Sequence, residues 1–491
     1  MLLHRHHGGL LKENCMLLSL VSPKKSLLKK SIPADFDEIK KKSDVFDNTR
    51  SIHSNLLGKS FHDEVIMYLE KYPATEHVDI YLNDLNGCFR GKRVAVESLL
   101  SLEHGCYFPL SIYAMDLEGR VVEKSGFGEQ AGEPDCLCMP VVGTLRPSAK
   151  DPQRYAQLLV CMQNLDGSLC DIEPRSILDN ILAKFHARGL FPVMAAELEF
   201  YLRPKGDAMV DAPSVSHCFV VDDDTPRAQI LEAIMRQAKY QSLSLKGVVA
   251  EADADQYELN FHHTGRVMEA CEHVLAIKRL SKQVAEKYNH TACFMAKPYS
   301  QRAGSGLHFH ISINDEQGNN VFSSADGQPN AIMSSALAGL MRLMPASMAI
   351  LAPNVNAFRR LRRTVCEPLF SSWGYNDRSA AIRIPCSDRE NQRIEYRLAG
   401  ADANPYLAVA AILSGMLYGL DNALPLPLSK APNDTALFPL FQQDALALFE
   451  QSAPLHDLLG EHFCRLWHTC KSDEWAKFES VVTEAESVWN L

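Results

Sequence analysis

Met194-Ala-Ala-Glu-Leu-Glu-Phe-Tyr-Leu202 sets Glu197 and Glu199 two residues apart inside an otherwise apolar run. In a strand both carboxylates point to one side, and Leu198 and Phe200 point to the other. Such a pair repels itself unless cations or arginines lie opposite. Three further segments repeat the pattern. Glu251 and Glu258 bracket Ala-Asp-Ala-Asp-Gln-Tyr. Gly304-Ser-Gly-Leu-His-Phe-His310 puts His308 and His310 on one strand face, behind glycines that let backbone approach a ligand closely. Gln392-Arg-Ile-Glu-Tyr-Arg397 gives Arg393, Glu395 and Arg397 one face, with Arg378 and Arg383 just upstream. Taken singly, each has an alternative reading as charge on a solvated sheet face. Taken together, carboxylates and imidazole suit Mg²⁺ or, through the histidine, Mn²⁺. Arginines grip planar oxyanions bidentately. Hard divalent ions beside several arginines are what phosphoryl transfer requires.

Outward from Met194–Leu202 the periodicity predicts helices over 175–188, 227–240, 266–288, 330–351 and 406–420. Strands are expected over 192–202, 247–251, 256–261, 291–298, 306–314, 380–385 and 393–397. Most strands have one polar and one apolar face, so the fold class is α+β, with a curved, mainly antiparallel sheet backed by helices. Ahead of it, a strand over 77–85, an exposed basic patch at Arg90–Arg93, and further strand and turn over 107–115 and 119–123 indicate a small sheet domain. The expected division is a poorly ordered extension over 1–55, a small β domain over 56–167 and a large catalytic domain over 168–491. No Gly-rich dinucleotide fingerprint and no Walker loop occur, so phosphate must be handled by ions and arginines.

The chain has 491 residues, 46% of them hydrophobic and 22% charged, enough to bury a sizeable core. Fifty basic against sixty acidic residues give a net charge of −10, which argues against a nucleic-acid binder. Fourteen scattered cysteines read as reduced thiols of a cytoplasmic protein. No run of eighteen apolar residues occurs, the longest approach being Leu407–Leu420, so no membrane span is expected. His4, His6 and His7 read as part of a solvated tail.

With Pro353-Asn-Val-Asn356, Asn376-Asp-Arg-Ser379 and Asn404-Pro-Tyr406 added in order, the chain resembles the glutamine synthetases over about residues 75–425. The likeness is to the branch that includes γ-glutamylputrescine and related γ-glutamyl-amine synthetases. It implies a β-grasp-like N-terminal domain and an ATP-dependent ligase with two or more Mg²⁺ or Mn²⁺ ions per site. Glu199, Glu251 and Glu258 match ligands of the ion nearer glutamate; Glu197, His308 and Glu395 match ligands of the ion bridging the ATP phosphates. Arg360 and Arg397 match the grip on the substrate carboxylate, with Gly304 and His308 also on the substrate side. Arg378, and again Arg397, match the groups at the transferred phosphoryl. Arg383, Arg393 and Arg378 match ATP-phosphate contacts, and His310 a nucleotide-side histidine. The resemblance further implies a homo-oligomer, a double-ring dodecamer with active sites between subunits, whose partners are glutamate and a small amine.

Departures from the family bear on the amine. Pro109, in Phe108-Pro-Leu-Ser-Ile112, stands where an ammonium-binding aspartate is expected. Cys366 stands at the place of a flap glutamate, with Glu367 displaced by one as the candidate catalytic carboxylate. Losing those anionic groups weakens the hold on ammonium and makes room for a carbon chain, so a polyamine, alkylamine or amino-alcohol acceptor is expected over ammonia. Asp84 and Glu367 are candidates for a distal carboxylate, and Ala303 replaces a loop asparagine. A Cys366 nucleophile is disfavoured for want of a paired histidine. The competing classes are an ammonia-using glutamine synthetase, a non-catalytic oligomeric relative and a guanidino phosphotransferase.

Overall fold

The computed structural model describes residues 60–164, 166–206, 216–221, 226–325, 327–362, 371–427, 438–487 and 489. The extension expected over 1–55, together with Cys366 and Glu367, lies outside the described residues. Helix α1 (Phe61–Lys71) begins at a capping box in which Ser60 and Asp63 satisfy each other's backbone N–H, and it buries Phe61, Val65 and Tyr68. A first sheet follows: β1 (His77–Asn83), β2 (Phe89–Ala95), β3 (Cys106–Pro109), β4 (Asp135–Pro140), β5 (Arg146–Pro147) and β6 (Tyr155–Met162). Its order is β2-β1-β6-β4-β3, with β5 also on β6; β1 and β6 run parallel and every other pair is antiparallel. The basic patch is strand β2, whose Arg90 pairs with Asp84 at 2.7 Å and Arg93 with Asp79 at 2.7 Å. The stretch from residue 107 is strand only to Pro109, then a 3₁₀ turn over Leu110–Ala114.

The larger part comprises α2 (Pro174–His186), β7 (Phe191–Pro204), α3 (Pro226–Tyr240), β8 (Leu245–Ala250), β9 (Gln256–Phe261), α4 (Val267–Lys287), β10 (His290–Cys293), β11 (Leu307–Asn314), α5 (Ala331–Leu351) and α6 (Val355–Arg360). It continues with β12 (Trp373–Tyr375), β13 (Ile382–Ile384), β14 (Ile394–Tyr396), α7 (Pro405–Asp421), α8 (Gln442–Glu450), α9 (Ala453–Leu459), α10 (Glu461–Glu479) and α11 (Glu484–Ser487). The sheet order is β12-β13-β14-β11-β7-β9-β8, with β10 also on β7; only β12–β13 is parallel. The strand expected over 291–298 stops at Cys293, and the chain then leaves the sheet in a loop where Asn356 bonds both backbone groups of Lys297.

Leu198, Phe200, Phe309 and Ile311 are buried on the core side. Among the described residues the most membrane-like helix is α5 rather than the 407–420 run, and 78% of its apolar window is buried, which marks a core helix. Pro345 inside α5 cannot bond the Met341 carbonyl one turn back. Ser371 Oγ supplies the missing donor at 3.1 Å.

Both sheets fall in one compact unit. Asn404 Nδ2, at the start of α7, donates to the Asp84 and Leu85 carbonyls at 3.1 and 3.3 Å. Helix α10 reaches the same β1–β2 turn through buried Lys471, which bonds Asn86 and pairs with Glu474 at 2.8 Å. Lys477 pairs with Asp116 at 2.9 Å.

Candidate active site

Register builds the site. On β7 the alternation Glu197-Leu198-Glu199 sends both carboxylates away from the core. His308 of β11 lies directly opposite Glu197, and Glu258 of β9 directly opposite Glu199. Glu395 of β14 is opposite His310 on one side and Arg383 of β13 on the other. Directly opposed residues share a face, so five strands bring the row Arg383–Glu395–His310 alongside Glu197, Glu199, His308 and Glu258.

Among the described residues, ligand atoms converge in three groups, each within 4.8 Å: Glu199 with Glu251 and Glu258, Glu197 with Glu258 and His308, and Glu197 with His310 and Glu395. Glu258 and Glu197 are therefore shared between neighbouring groups. His308 sits with Glu197 and Glu258, while Glu395 groups with His310. His310 Nε2 lies 2.8 Å from Glu197 Oε1, and Arg393 Nε donates to His310 Nδ1 at 3.1 Å. Nδ1 is thus the acceptor, which leaves the ring proton on Nε2, aimed at Glu197. Arg383 and Arg397 bond the two oxygens of Glu395 at 2.7 and 2.6 Å.

The electrostatics divide the site. Burial raises the Glu197 carboxyl, but the His308 and His310 imidazoles outweigh it and hold the group below the usual range. Burial acts likewise on Glu395, where His310, His308, Arg397 and Arg383 bring it below that range. Burial, then the Glu199 charge, pushes Glu251 up to about 7. Burial, then Glu197, Glu199 and Glu251, pushes Glu258 up to about 9, and Asn260 Nδ2 at 3.0 Å offsets this only in part. Such a pocket of carboxylates short of positive charge fits a hard divalent cation with oxygen ligands.

The other expected residues fall into different settings. Arg378 is exposed, on the turn before β13, near enough to Glu251 to lower that carboxyl. Arg360 is 1% exposed and gives its Nη groups to the Leu398, Ala399 and Arg397 carbonyls, so here it braces backbone beneath the site. Gly304 and Gly306 lie on that brace: a Cβ at Gly304 would stand 2.6 Å from Arg360 Cγ, and one at Gly306 2.7 Å from His308 Nε2. Gly306 N–H donates to Glu199 Oε2 at 2.7 Å. Asp84 is fully buried, holds the β1–β2 turn and pairs with Arg90, so it is a structural carboxylate and not a distal amine anchor. Pro109 is paired with Asp135 of β4.

A cavity of about 1140 Å³ opens from Glu197, His310 and Arg393. Lys246, His262, His263 and Arg389 also line it, and none of these was expected. Three of them lie where no strand alternation operates, His262 and His263 just after β9 and Arg389 ahead of β14, while Lys246 sits in β8 at the register shift between Leu245 and Gly247. Asn260 was missed too, although its place two residues after Glu258 on the same face could have found it.

Comparison with known proteins agrees with this architecture. Residues 171–490 match the family described as glutamine synthetase, catalytic domain. The chain is 48% identical over 450 residues to gamma-glutamylputrescine synthetase PuuA of Escherichia coli (strain K12), covering 88% of this chain and 95% of that protein. It is 29% identical to glutamate–isopropylamine ligase of a Pseudomonas species, covering 70% and 77% of the two chains. Among solved structures, apo GmaS without ligand superposes with a TM-score of 0.75 at 24% identity over 86% of this chain and 98% of that one, which speaks for the fold. The chain belongs to the glutamine synthetase family, in the branch that holds γ-glutamylputrescine synthetase and its glutamate–amine ligase relatives.

Proposed function

We propose that the chain is an ATP-dependent ligase that joins the γ-carboxylate of glutamate to an organic amine through γ-glutamyl phosphate. The observation that carries the reading is the convergence of three Glu/His groups and their arginines beside one large polar cavity. The relatives support it: their printed activities take putrescine, isopropylamine and, in a Streptomyces coelicolor protein 26% identical over 425 residues, ethanolamine.

A carboxylate is a poor electrophile because oxide is a poor leaving group; phosphorylation replaces it by phosphate. Mg²⁺ or Mn²⁺, held by Glu199, Glu251 and Glu258 and by Glu197, His308 and Glu395, would supply charge neutralisation on the phosphoryl oxygens. Arg393 and His310, which line the cavity, would bind the nucleotide phosphates. Arg383 and Arg397 both grip Glu395; Arg397 orients the acyl phosphate and Arg383 the nucleotide side. Arg378, exposed and near Glu251, would meet the transferred group. Gly304 presents backbone to glutamate, braced by Arg360. A neutral amine then attacks the acyl carbon and phosphate leaves. Glu367, as the flap carboxylate, belongs to this proposal as well.

The division near residue 167, a homo-oligomer of double-ring form and a cytoplasmic location complete the reading.

The test is ADP release with glutamate, Mg²⁺ and a panel of amines, with the product checked by mass. Turnover with putrescine, isopropylamine or ethanolamine in preference to ammonia is expected. Turnover with ammonia alone sinks the organic acceptor, and ADP release without amide formation sinks the ligase. Glu197→Ala and Glu251→Ala should each abolish turnover while size-exclusion profiles stay unchanged.

A further inference from the structure

The site face of β7 does not end with its two glutamates: Tyr201 follows Glu199 at the same two-residue step and is fully buried. Its hydroxyl donates to the Ala303 carbonyl at 3.0 Å and lies 3.4 Å from Asp253 Oδ2. The Ala303 N–H donates to that same Asp253 oxygen. Both polar groups of residue 303 are therefore held by two side chains, one from β7 and one from the turn between Glu251 and Glu258. The next peptide is held as well, since Gln256 Nε2 donates to the Gly304 carbonyl at 2.8 Å. Gly306 N–H closes the loop onto Glu199. Behind Tyr201, Tyr299 packs edge-on at 5.3 Å and carries the Arg302 guanidinium 4.4 Å over its ring. Residue 303 is alanine and has no polar side chain with which to orient this loop.

We propose that Tyr201 and Asp253 are positioning residues that set the Ala303–Gly306 backbone toward glutamate. They stitch together the segments bearing Glu199, Glu251 and His308. Naming glutamate as the ligand rests on the ligase reading; the pinning of the loop does not. A displaced loop presents Gly304 wrongly to glutamate and leaves the nucleotide cavity, on the far side of Glu197, unaffected. The effect should therefore fall on one substrate.

Tyr201→Phe removes only the hydroxyl, Asp253→Ala removes the acceptor, and Asp253→Asn retains an oxygen for the Ala303 N–H. Tyr201→Phe and Asp253→Ala should raise the KM for glutamate roughly tenfold, the size of one lost hydrogen bond. The KM for ATP and kcat should stay within about twofold, and Asp253→Asn should recover most of the loss. In the metal-free protein, amide hydrogen exchange across residues 302–306 should quicken in Tyr201→Phe and Asp253→Ala but not elsewhere in the sheet. Equal increases in both KM values, or an unchanged glutamate KM, overturn the proposal. Should the wild type release no ADP with glutamate, the ligase reading fails. Loop exchange then decides the pinning by itself, and exchange unchanged in Tyr201→Phe overturns it.

Discussion

Glu258 stands where carboxylates crowd most closely, and its proton tells how the site is kept. Glu251 and Glu258 titrate near 7 and 9 in the metal-free fold, against about 4.5 for a free glutamate. Between those values the folded state holds more protons than the unfolded chain, so stability falls as pH rises through the window. Glu197 and Glu395 are shifted the other way, and what they contribute is lost only in acid. The metal-free protein should therefore melt several degrees lower at about pH 9 than at about pH 6. Mg²⁺ should flatten that slope, release protons on binding, and bind more tightly as pH rises. A melting temperature that climbs with pH in EDTA would contradict the electrostatic account.

At the scale of elements, β7, β9, β11 and β14 contribute alternation and their neighbours contribute register. Alternation is local, which is why Glu197, Glu199, His308, Glu395 and the helices over 174–186, 226–240 and 267–287 were legible in the sequence within a few residues. Register is not local. That Glu395 faces His310 on one side and Arg383 on the other depends on which strands become neighbours. That His310 joins Glu197 and Glu395 in the third group was not legible for that reason. Nor was the burial of Arg360, since an arginine that serves three carbonyls looks in sequence like one that awaits a substrate. Buried runs such as β6 show no polar face to mark them. Helix α5 carries its own non-local repair, because Ser371 bonds the carbonyl that Pro345 frees. Ser371→Ala should lower stability by about 1 kcal/mol, the worth of one part-buried hydrogen bond, with turnover retained. Denaturant titration reads it.

For the whole molecule, the joint between the two sheets is polar and specific. Lys471 is 1% exposed, between Glu474 and Asn86. Removing one member of such a buried pair costs roughly 3–5 kcal/mol. Lys471→Ala should accordingly lower the melting temperature and expose the β1–β2 turn to limited proteolysis. A variant as resistant as wild type would show that α10 does not clasp the sheet. The clasp also orders events in time. Asp84 and Asn86 leave the ribosome some 320 residues before Asn404 and nearly 400 before Lys471. During synthesis the early sheet waits with its turn unlatched, and vectorial folding of this chain finishes only when its last helices emerge.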